Sequence, residues 1–250
     1  MFREYFVLLF LAHIIGDFYA QNNYIAEKKE QHLSCLFLHG LLYWAIILLV
    51  SLPVLSWQVF FYGCIAAALH LLIDFGKRIV CAAINKRQIL SPRHDRNIFF
   101  IDQLLHVVSI SLVAYVFVKQ GNGLVLHEGF ADFLKTLGLP ALNIVSYLAV
   151  FLAIHKPTNI AIAKTLLLYK SDDHADETDD KKAGRFIGTL ERAIIVIFIS
   201  LSQYAAIGLV LTAKSIARYD KISKDPTFAE YYLIGTLLST LAAIGAAFIL

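Results

Sequence analysis

Long apolar stretches dominate this chain and restrict the folds that it can adopt. Seven of them occur, at residues 2–19, 36–55, 57–75, 98–118, 141–155, 187–211 and 230–250. A helix needs about 20 mostly apolar residues to cross a membrane, and a helix satisfies all of its backbone hydrogen bonds within lipid. Only 16% of the residues are charged, against about a quarter in soluble domains. We therefore predict an all-α, polytopic transmembrane helical bundle with about seven spans.

The domain organisation expected is a single integral membrane domain over residues 1–250. Residues 1–118 would form a four-helix core, and residues 119–250 a C-terminal extension of about three spans. The stretch 141–155 is short and ends near Pro157, so it is either a full crossing or a tilted or re-entrant segment. Short amphipathic helices are expected at the membrane interface over residues 157–170 and 212–219.

Basic residues orient the first four spans. The segment between the third and fourth spans is rich in Lys and Arg, which the positive-inside rule places in the cytoplasm. A second basic group follows the sixth stretch, and a seven-span count would put it outside. The orientation of the second half therefore stays open. The two groups are Lys77, Arg78, Lys86, Arg87, Arg93 and Arg96, and Lys214, Arg218, Lys221 and Lys224.

Three aspartates lie within the apolar stretches, and each has a histidine four residues away. The pairs are His13 with Asp17, His70 with Asp74, and Asp102 with His106. Residues four apart share one face of a helix, so each pair presents an imidazole and a carboxylate side by side. Ionisable groups in membrane spans are costly and usually face the bundle interior at a functional site.

The direction of the spans places these pairs at one depth. Asp17 ends the first span, and His39 begins the second. The pair on the third span closes it, and the pair on the fourth opens it, so consecutive spans of opposite direction bring all of them near one membrane surface. Imidazole and carboxylate groups at one level of a bundle can bind a divalent ion of the zinc, manganese or iron type. The predicted ligands are His13, Asp17, His39, His70, Asp74, Asp102 and His106.

Catalytic and substrate-binding roles can be assigned to neighbouring charged residues. Asp74 or Asp102 could act as a general base, and Lys77, on the same face as His70, could bind an anionic group. In the second half, Lys156, Arg185 and Arg192 could clamp a phosphate, because arginine suits bidentate contacts to oxyanions. Snorkelling or interfacial anchoring is the alternative for all four basic residues. The acidic segment 171–182 lacks the pattern of a calcium loop and reads as a solvated loop.

The motifs resemble an uncharacterised family of bacterial integral membrane proteins, known as a domain of unknown function. The resemblance covers about residues 5–110. It lies in Ala12-His13…Gly16-Asp17-Phe18…Gln21, in Leu69-His70…Asp74…Lys77 and in Asp102-Gln103-Leu104-Leu105-His106. The later stretches 184–192, 214–218 and 230–235 resemble C-terminal extensions of some members. The pattern is also loosely similar to membrane-bound metal-dependent hydrolases, although their fuller histidine-rich signature is not matched. The resemblance implies a multi-pass protein of the bacterial inner (plasma) membrane.

Three functions compete. The first is a membrane-embedded, metal-dependent hydrolase that cleaves a phosphoester or lipid-linked substrate near the cytoplasmic face. The second is a divalent-cation or proton-coupled transporter, in which ionisable residues form a pathway. The third is a non-catalytic sensor or partner-binding subunit, in which the pairs only hold helices together. Membrane lipid and an anionic or phosphate-bearing substrate are the expected partners. No nucleic acid is expected, because the basic residues gather in loops.

Overall fold

The apolar stretches of the described part of the chain lie mainly in helices. This structure is a computed structural model, and it describes residues 1–21, 28–29, 32–86, 91–169 and 178–250. Those residues form ten α-helices and no β-strand, which confirms the all-α prediction. The helices are α1 (Phe2–Ile14), α2 (Leu33–Ser51), α3 (Trp57–Lys86), α4 (Pro92–Lys119), α5 (Glu128–Leu137), α6 (Ala141–Leu166), α7 (Thr178–Ser200), α8 (Tyr204–Ala217), α9 (Tyr219–Lys224) and α10 (Pro226–Ala247).

Five segments in the described ranges are long and apolar enough to cross a membrane. They are Leu33–Val54, Trp57–Ile84, Pro92–Lys119, Ala141–Leu166 and Pro226–Ala247. At most 39% of the apolar window of any of them is buried, so most of their large apolar side chains face outward. Such surface is rare in soluble monomers and suits contact with lipid. The five segments suggest a multi-pass membrane protein, and the count of about seven spans stays a prediction.

The first and sixth predicted spans differ from single α-helices. Helix α1 continues into a π-helical segment, Ile15–Ala20, so residues 2–20 are helical but change geometry beside Asp17. The stretch 187–211 is divided between α7 and α8. Residues 201–203 separate the two helices, and Ser202 has a positive φ of 56°. This backbone turn ends α7 inside a stretch that hydropathy alone reads as continuous.

The fifth predicted span extends well past its expected end. Helix α6 runs to Leu166 and includes Pro157. A proline has no N–H to donate, so the carbonyl of Ala153, four residues earlier, loses its usual helical partner. Thr158 Oγ1 donates to that carbonyl at 2.8 Å, which lets the helix continue. The prediction of a separate interfacial helix over residues 157–170 is therefore wrong, because residues 157–166 belong to α6. Residue 170 lies outside the described residues.

Other predicted connections have mixed outcomes. Pro53 lies in a short 3-10 turn, Leu52–Val54, where the sequence places a return between two spans. The segment 212–219 belongs to the end of α8 and the start of α9 instead of forming its own helix. Helix α5 was not expected, and it ends at Gly138, which has a left-handed φ of 67°. Residues 171–177 of the predicted acidic loop lie outside the described residues.

The chain divides into two compact units, Met1–Ala149 and Val150–Leu250. In the first unit, α1 packs against α2 and α4, and α3 packs against the same two helices, so the four helices form a closed ring. Its buried core includes Tyr5, Ile47, Ile110 and Phe117. The prediction of a single membrane domain with a core over residues 1–118 stays a prediction.

The second unit has its own small core. Helix α7 packs against α8 and α10, and α9 packs against α10. Val150 and Ile154 of α6, Ile195 and Val196 of α7, and Ala243 of α10 form its buried apolar cluster. The two units are therefore stabilised by separate sets of apolar contacts.

Candidate metal centre

The ring of four helices brings all seven predicted metal ligands together. Three groups of these side chains each offer donor atoms that lie within 4.8 Å of one another. Every one of the seven side chains is at least nine-tenths buried. The groups, which share members, are His13, Asp17 and His70; His39, His70 and Asp74; and Asp74, Asp102 and His106. These buried His and Asp groups could hold a metal ion.

Four donor atoms lie close together at the centre of the cluster. His39 Nε2 lies 3.1 Å from His70 Nε2, 3.4 Å from Asp17 Oδ1 and 3.3 Å from Asp74 Oδ2. His70 Nε2 lies 3.3 Å from Asp17 Oδ1 and 3.6 Å from Asp74 Oδ2. Bonds of about 2.0–2.1 Å to a tetrahedral zinc ion place neighbouring donors about 3.3–3.4 Å apart. The five distances fall around this value, so His39 and His70 have a spacing that suits an ion of zinc size with either aspartate.

Gly16 and Tyr43 position the imidazole of His70. The Tyr43 ring stacks on the His70 ring with centroids 3.6 Å apart and planes 6° apart. Gly16 lies on the neighbouring π-helical segment, and a Cβ placed on it would come within 2.7 Å of Tyr43 Cδ2. The glycine therefore permits the close approach that holds Tyr43 against His70. Single π turns are frequent at functional sites, and this one carries Asp17.

Lys29 adds a positive charge that the motif analysis did not assign to the site. Its Nζ lies 2.9 Å from Asp74 Oδ2, and the lysine is 7% exposed. Lys29 and the ion position thus compete for one carboxylate oxygen. No local pattern could predict this contact, because the two residues are 45 positions apart in the chain.

A second group of contacts surrounds Asp102. Lys77 Nζ lies 3.3 Å from Asp102 Oδ2, and Gln103 Nε2 donates to the same oxygen at 3.2 Å. His106 Nδ1 donates to the backbone carbonyl of Asp102 at 2.8 Å. A carbonyl can only accept, so this bond places the proton on Nδ1 and leaves Nε2 with a free lone pair.

Gln103 connects the first helix to this second group. Its Oε1 lies 3.3 Å from His13 Nε2, while its amide nitrogen binds Asp102. His13 Nδ1 lies 3.9 Å from Asp17 Oδ2. Gln103 was not among the predicted site residues, although an amide beside Asp102 in an apolar stretch was a signal for it.

A family model described as "Protein of unknown function (DUF3307)" matches residues 5–130, about half of the chain. This chain belongs to the DUF3307 family. The matched region contains all seven predicted ligands of the buried cluster. Searches of curated proteins and of solved structures found no match.

The three predicted substrate-binding residues of this DUF3307 protein lie in the second unit, beyond the family match. Arg185 is exposed, and Lys156 is half-buried. Arg192 is 1% exposed and holds helices together. Its guanidinium donates to Ile154 O at 2.6 Å, to Ser239 Oγ at 3.0 Å, and to Asn159 Oδ1 and Thr189 Oγ1 at 2.7 and 3.2 Å. Binding of an anionic substrate by the three basic residues stays a prediction.

Glu191 has a partner of its own in the second unit. Its Oε2 lies 2.5 Å from Lys214 Nζ, and that ammonium also lies 5.4 Å from the centre of the Tyr232 ring. Lys214 belongs to the basic group that left the orientation of the second half open. In the structure its ammonium neutralises the buried carboxylate of Glu191. This ion pair joins α7 to α8.

Proposed function

We propose that this DUF3307 protein is a membrane-embedded, metal-dependent hydrolase of the bacterial inner membrane. Its substrate would be a phosphoester or lipid-linked compound reached near the cytoplasmic face, where the positive-inside rule places the loop after α3. The close spacing of the His39 and His70 donor atoms with those of Asp17 and Asp74 carries the proposal. Two imidazoles and two carboxylates suit a zinc, manganese or iron ion.

A water molecule could bind the ion at the coordination position next to Asp74. Catalytic zinc sites keep three protein ligands and one open position. Asp74 Oδ2 already has Lys29 as a partner at 2.9 Å, so its bond to the ion would be weaker than the others and a water could bind beside it. Asp17, His39 and His70 then hold the ion. The general base would be one of the aspartates at the site, as the sequence analysis expects.

The ion supplies the chemistry of a hydrolase. A divalent ion polarises a phosphoryl or carbonyl oxygen and lowers the pKa of its bound water to about 7, which makes hydroxide available at neutral pH. The charges also favour an anionic substrate. With neutral imidazoles, the ion and the ammonium groups of Lys29 and Lys77 outweigh the carboxylates of Asp17, Asp74 and Asp102 by one unit.

One structural observation favours a second candidate, the non-catalytic bundle. Lys29 and Lys77 each pair with one buried aspartate, and such pairs can hold helices in register without any chemistry. Loss of an imidazole would then leave function unchanged as long as the protein folds. A transporter has less support, because the seven groups converge at one level instead of forming a series across the bundle.

Metal-dependent hydrolysis by the purified protein tests the proposal. The protein would be stripped of metal in detergent, reloaded with zinc, manganese or iron(II), and assayed with p-nitrophenyl phosphate, bis(p-nitrophenyl) phosphate and phosphatidic acid. Activity should need the ion and should fall at least ~100-fold in His39→Gln, since loss of partners that only orient metal ligands already costs 10–100-fold. His127→Gln is the matched control, because His127 is exposed outside the cluster. Equal hydrolysis by both variants, or none by the loaded protein, would contradict the proposal.

A further inference from the structure

We infer that the site binds a second divalent ion between Asp74, Asp102 and His106, so that Asp74 bridges two ions. The inference rests on the proposed function and deepens it, because two bridged ions suit the in-line displacement at the phosphorus of a phosphoester. One donor atom from each of the three residues lies within 4.8 Å of the other two. The three side chains are 3%, 5% and 1% exposed as residues.

Three buried acceptor atoms without a donor mark the position of this second ion. Asp74 Oδ1, Asp102 Oδ1 and His106 Nε2 are buried and have no hydrogen-bond partner among the described residues. A buried acceptor that is left unpaired costs about 1–3 kcal/mol, and more when it carries a charge. Carboxylates on residues as close as Asp74 and Asp102 also repel each other. A cation bound to all three removes both costs.

The state of His106 fits a metal ligand. Its Nδ1 donates to the Asp102 carbonyl at 2.8 Å, which leaves the Nε2 lone pair directed away from that bond. Metal-binding histidines usually donate the other ring N–H to a carbonyl or carboxylate, and that bond fixes the ring. His106 therefore has both the orientation and the protonation that a ligand needs.

The two lysines leave one oxygen of each aspartate for the ion. Lys29 contacts Oδ2 of Asp74, and Lys77 contacts Oδ2 of Asp102. The Oδ1 atoms have no hydrogen-bond partner among the described residues, and Asp102 Oδ1 lies 3.7 Å from His106 Nδ1. Asp74 Oδ2 also belongs to the first set of donor atoms, so a bridging Asp74 would offer Oδ2 to the first ion and Oδ1 to the second. Such a carboxylate bridge is compatible with ions about 3.5–4 Å apart, as in two-metal phosphatases and nucleases.

The two positions differ in the metal they prefer. Two carboxylates and one imidazole make the second position richer in oxygen than the first, and oxygen ligands suit manganese better than zinc. Two ions would clamp a phosphoester from both sides. A water oxygen forms a bond to phosphorus while the bond from phosphorus to the alcohol oxygen breaks; the water gives up one proton, and the alcohol oxygen takes one up. The two ions stabilise the attacking and the leaving oxygen.

Manganese stoichiometry of the full-length protein tests the inference. The protein in detergent would be loaded with Mn²⁺, desalted and analysed for metal per chain, and its electron paramagnetic resonance spectrum would be recorded. We expect two ions per chain with an exchange-coupled spectrum in the natural protein. His106→Gln should bind one ion and show an uncoupled spectrum, and exposed His127→Gln should bind two. Asp102→Asn replaces His106→Gln if the latter fails to fold.

The outcomes separate this inference from the proposed function. Two coupled ions that fall to one in His106→Gln support the second position. One ion in the natural protein, unchanged in His106→Gln, overturns the inference and leaves the hydrolase proposal standing. No bound ion in the natural protein overturns both. The coupled spectrum needs no variant, so the inference can fail even if every substitution disturbs folding.

Discussion

Replacing Gly16 with alanine should disturb the proposed metal centre without changing any of its proposed ligands. The added Cβ would lie 2.7 Å from Tyr43 Cδ2, whereas carbon atoms in contact prefer about 3.5–4.0 Å. The Tyr43 ring must therefore retreat by about 1 Å. The same ring stacks on His70 at 3.6 Å, so a shift of Tyr43 should change the position of the imidazole as well.

The size of the effect follows from this overlap. Overpacking a buried contact costs about 1–3 kcal/mol, and each kcal/mol lowers the melting temperature of a domain of 150–250 residues by about 2–4 °C. A fall of ~2–12 °C is therefore expected for Gly16→Ala. Because a misplacement of ~1 Å is enough to loosen a built site, zinc affinity should fall at least ~10-fold. Thermal melts in detergent and zinc titrations measure the two quantities.

Gly76→Ala is the matched control for this experiment. Gly76 lies within α3, and no atom lies within 4 Å of the position of its Cβ. Alanine in a helix interior gains about 0.5–1 kcal/mol over glycine, so this variant should melt slightly higher and bind zinc normally. If the Gly16 variant melts and binds zinc like the Gly76 variant, the proposed positioning of His70 by Tyr43 is refuted.

Three further substitutions test other parts of the structure. Lys29→Met leaves Asp74 without its buried cation, so the free energy of unfolding of the metal-free protein should fall by ~3–5 kcal/mol. Added zinc should then raise the melting temperature more than in the natural protein. An equal rise would show that Lys29 and zinc do not compete. Tyr43→Phe keeps the ring on His70 and removes a hydroxyl that has no hydrogen-bond partner among the described residues. The free energy of unfolding should therefore stay equal or rise by up to ~1 kcal/mol. A tenfold loss of zinc affinity would show instead that the hydroxyl acts at the site. Arg192→Met removes four hydrogen bonds, so the free energy of unfolding from thermal melts should fall by ~3 kcal/mol or more. The zinc content should stay unchanged. Loss of zinc from a folded variant would contradict this.

The sequence was sufficient to predict that the seven His and Asp side chains converge. Residues four apart must share a helix face, and successive spans must reverse direction, so His13, His39, His70 and His106 had to reach one depth if the apolar stretches were helices. The packing of α1 to α4 in a ring then brings those faces together. These are local and topological constraints, which a single sequence carries.

Other parts of the site depend on contacts that no local pattern encodes. The Lys29–Asp74 pair joins residues 45 positions apart, and the stacking of Tyr43 on His70 depends on the absence of a side chain at Gly16. Neither the number of charged residues nor the hydropathy of the chain predicts the ion pair or the ring stacking. The π-helical segment is equally hidden, because its residues are as apolar as those of α1.

The helix boundaries show the same limit in the second unit. Hydropathy averages over a window, so it could not detect the turn at Ser202 within an apolar stretch. It also treated Pro157 as a helix end, whereas one hydroxyl at Thr158 satisfies the carbonyl that the proline leaves free. A single side-chain hydrogen bond decides such a boundary, and composition does not.

A zinc X-ray absorption spectrum of protein loaded with one equivalent of zinc tests the central claim most directly. The proposed centre at Asp17, His39, His70 and Asp74 predicts four nitrogen or oxygen neighbours at about 2.0–2.1 Å, with outer scattering from two imidazoles. His39→Gln should remove one imidazole contribution. A hydrated six-coordinate ion without imidazole scattering, or sulfur neighbours at about 2.3 Å, would contradict a metal centre built from these four side chains.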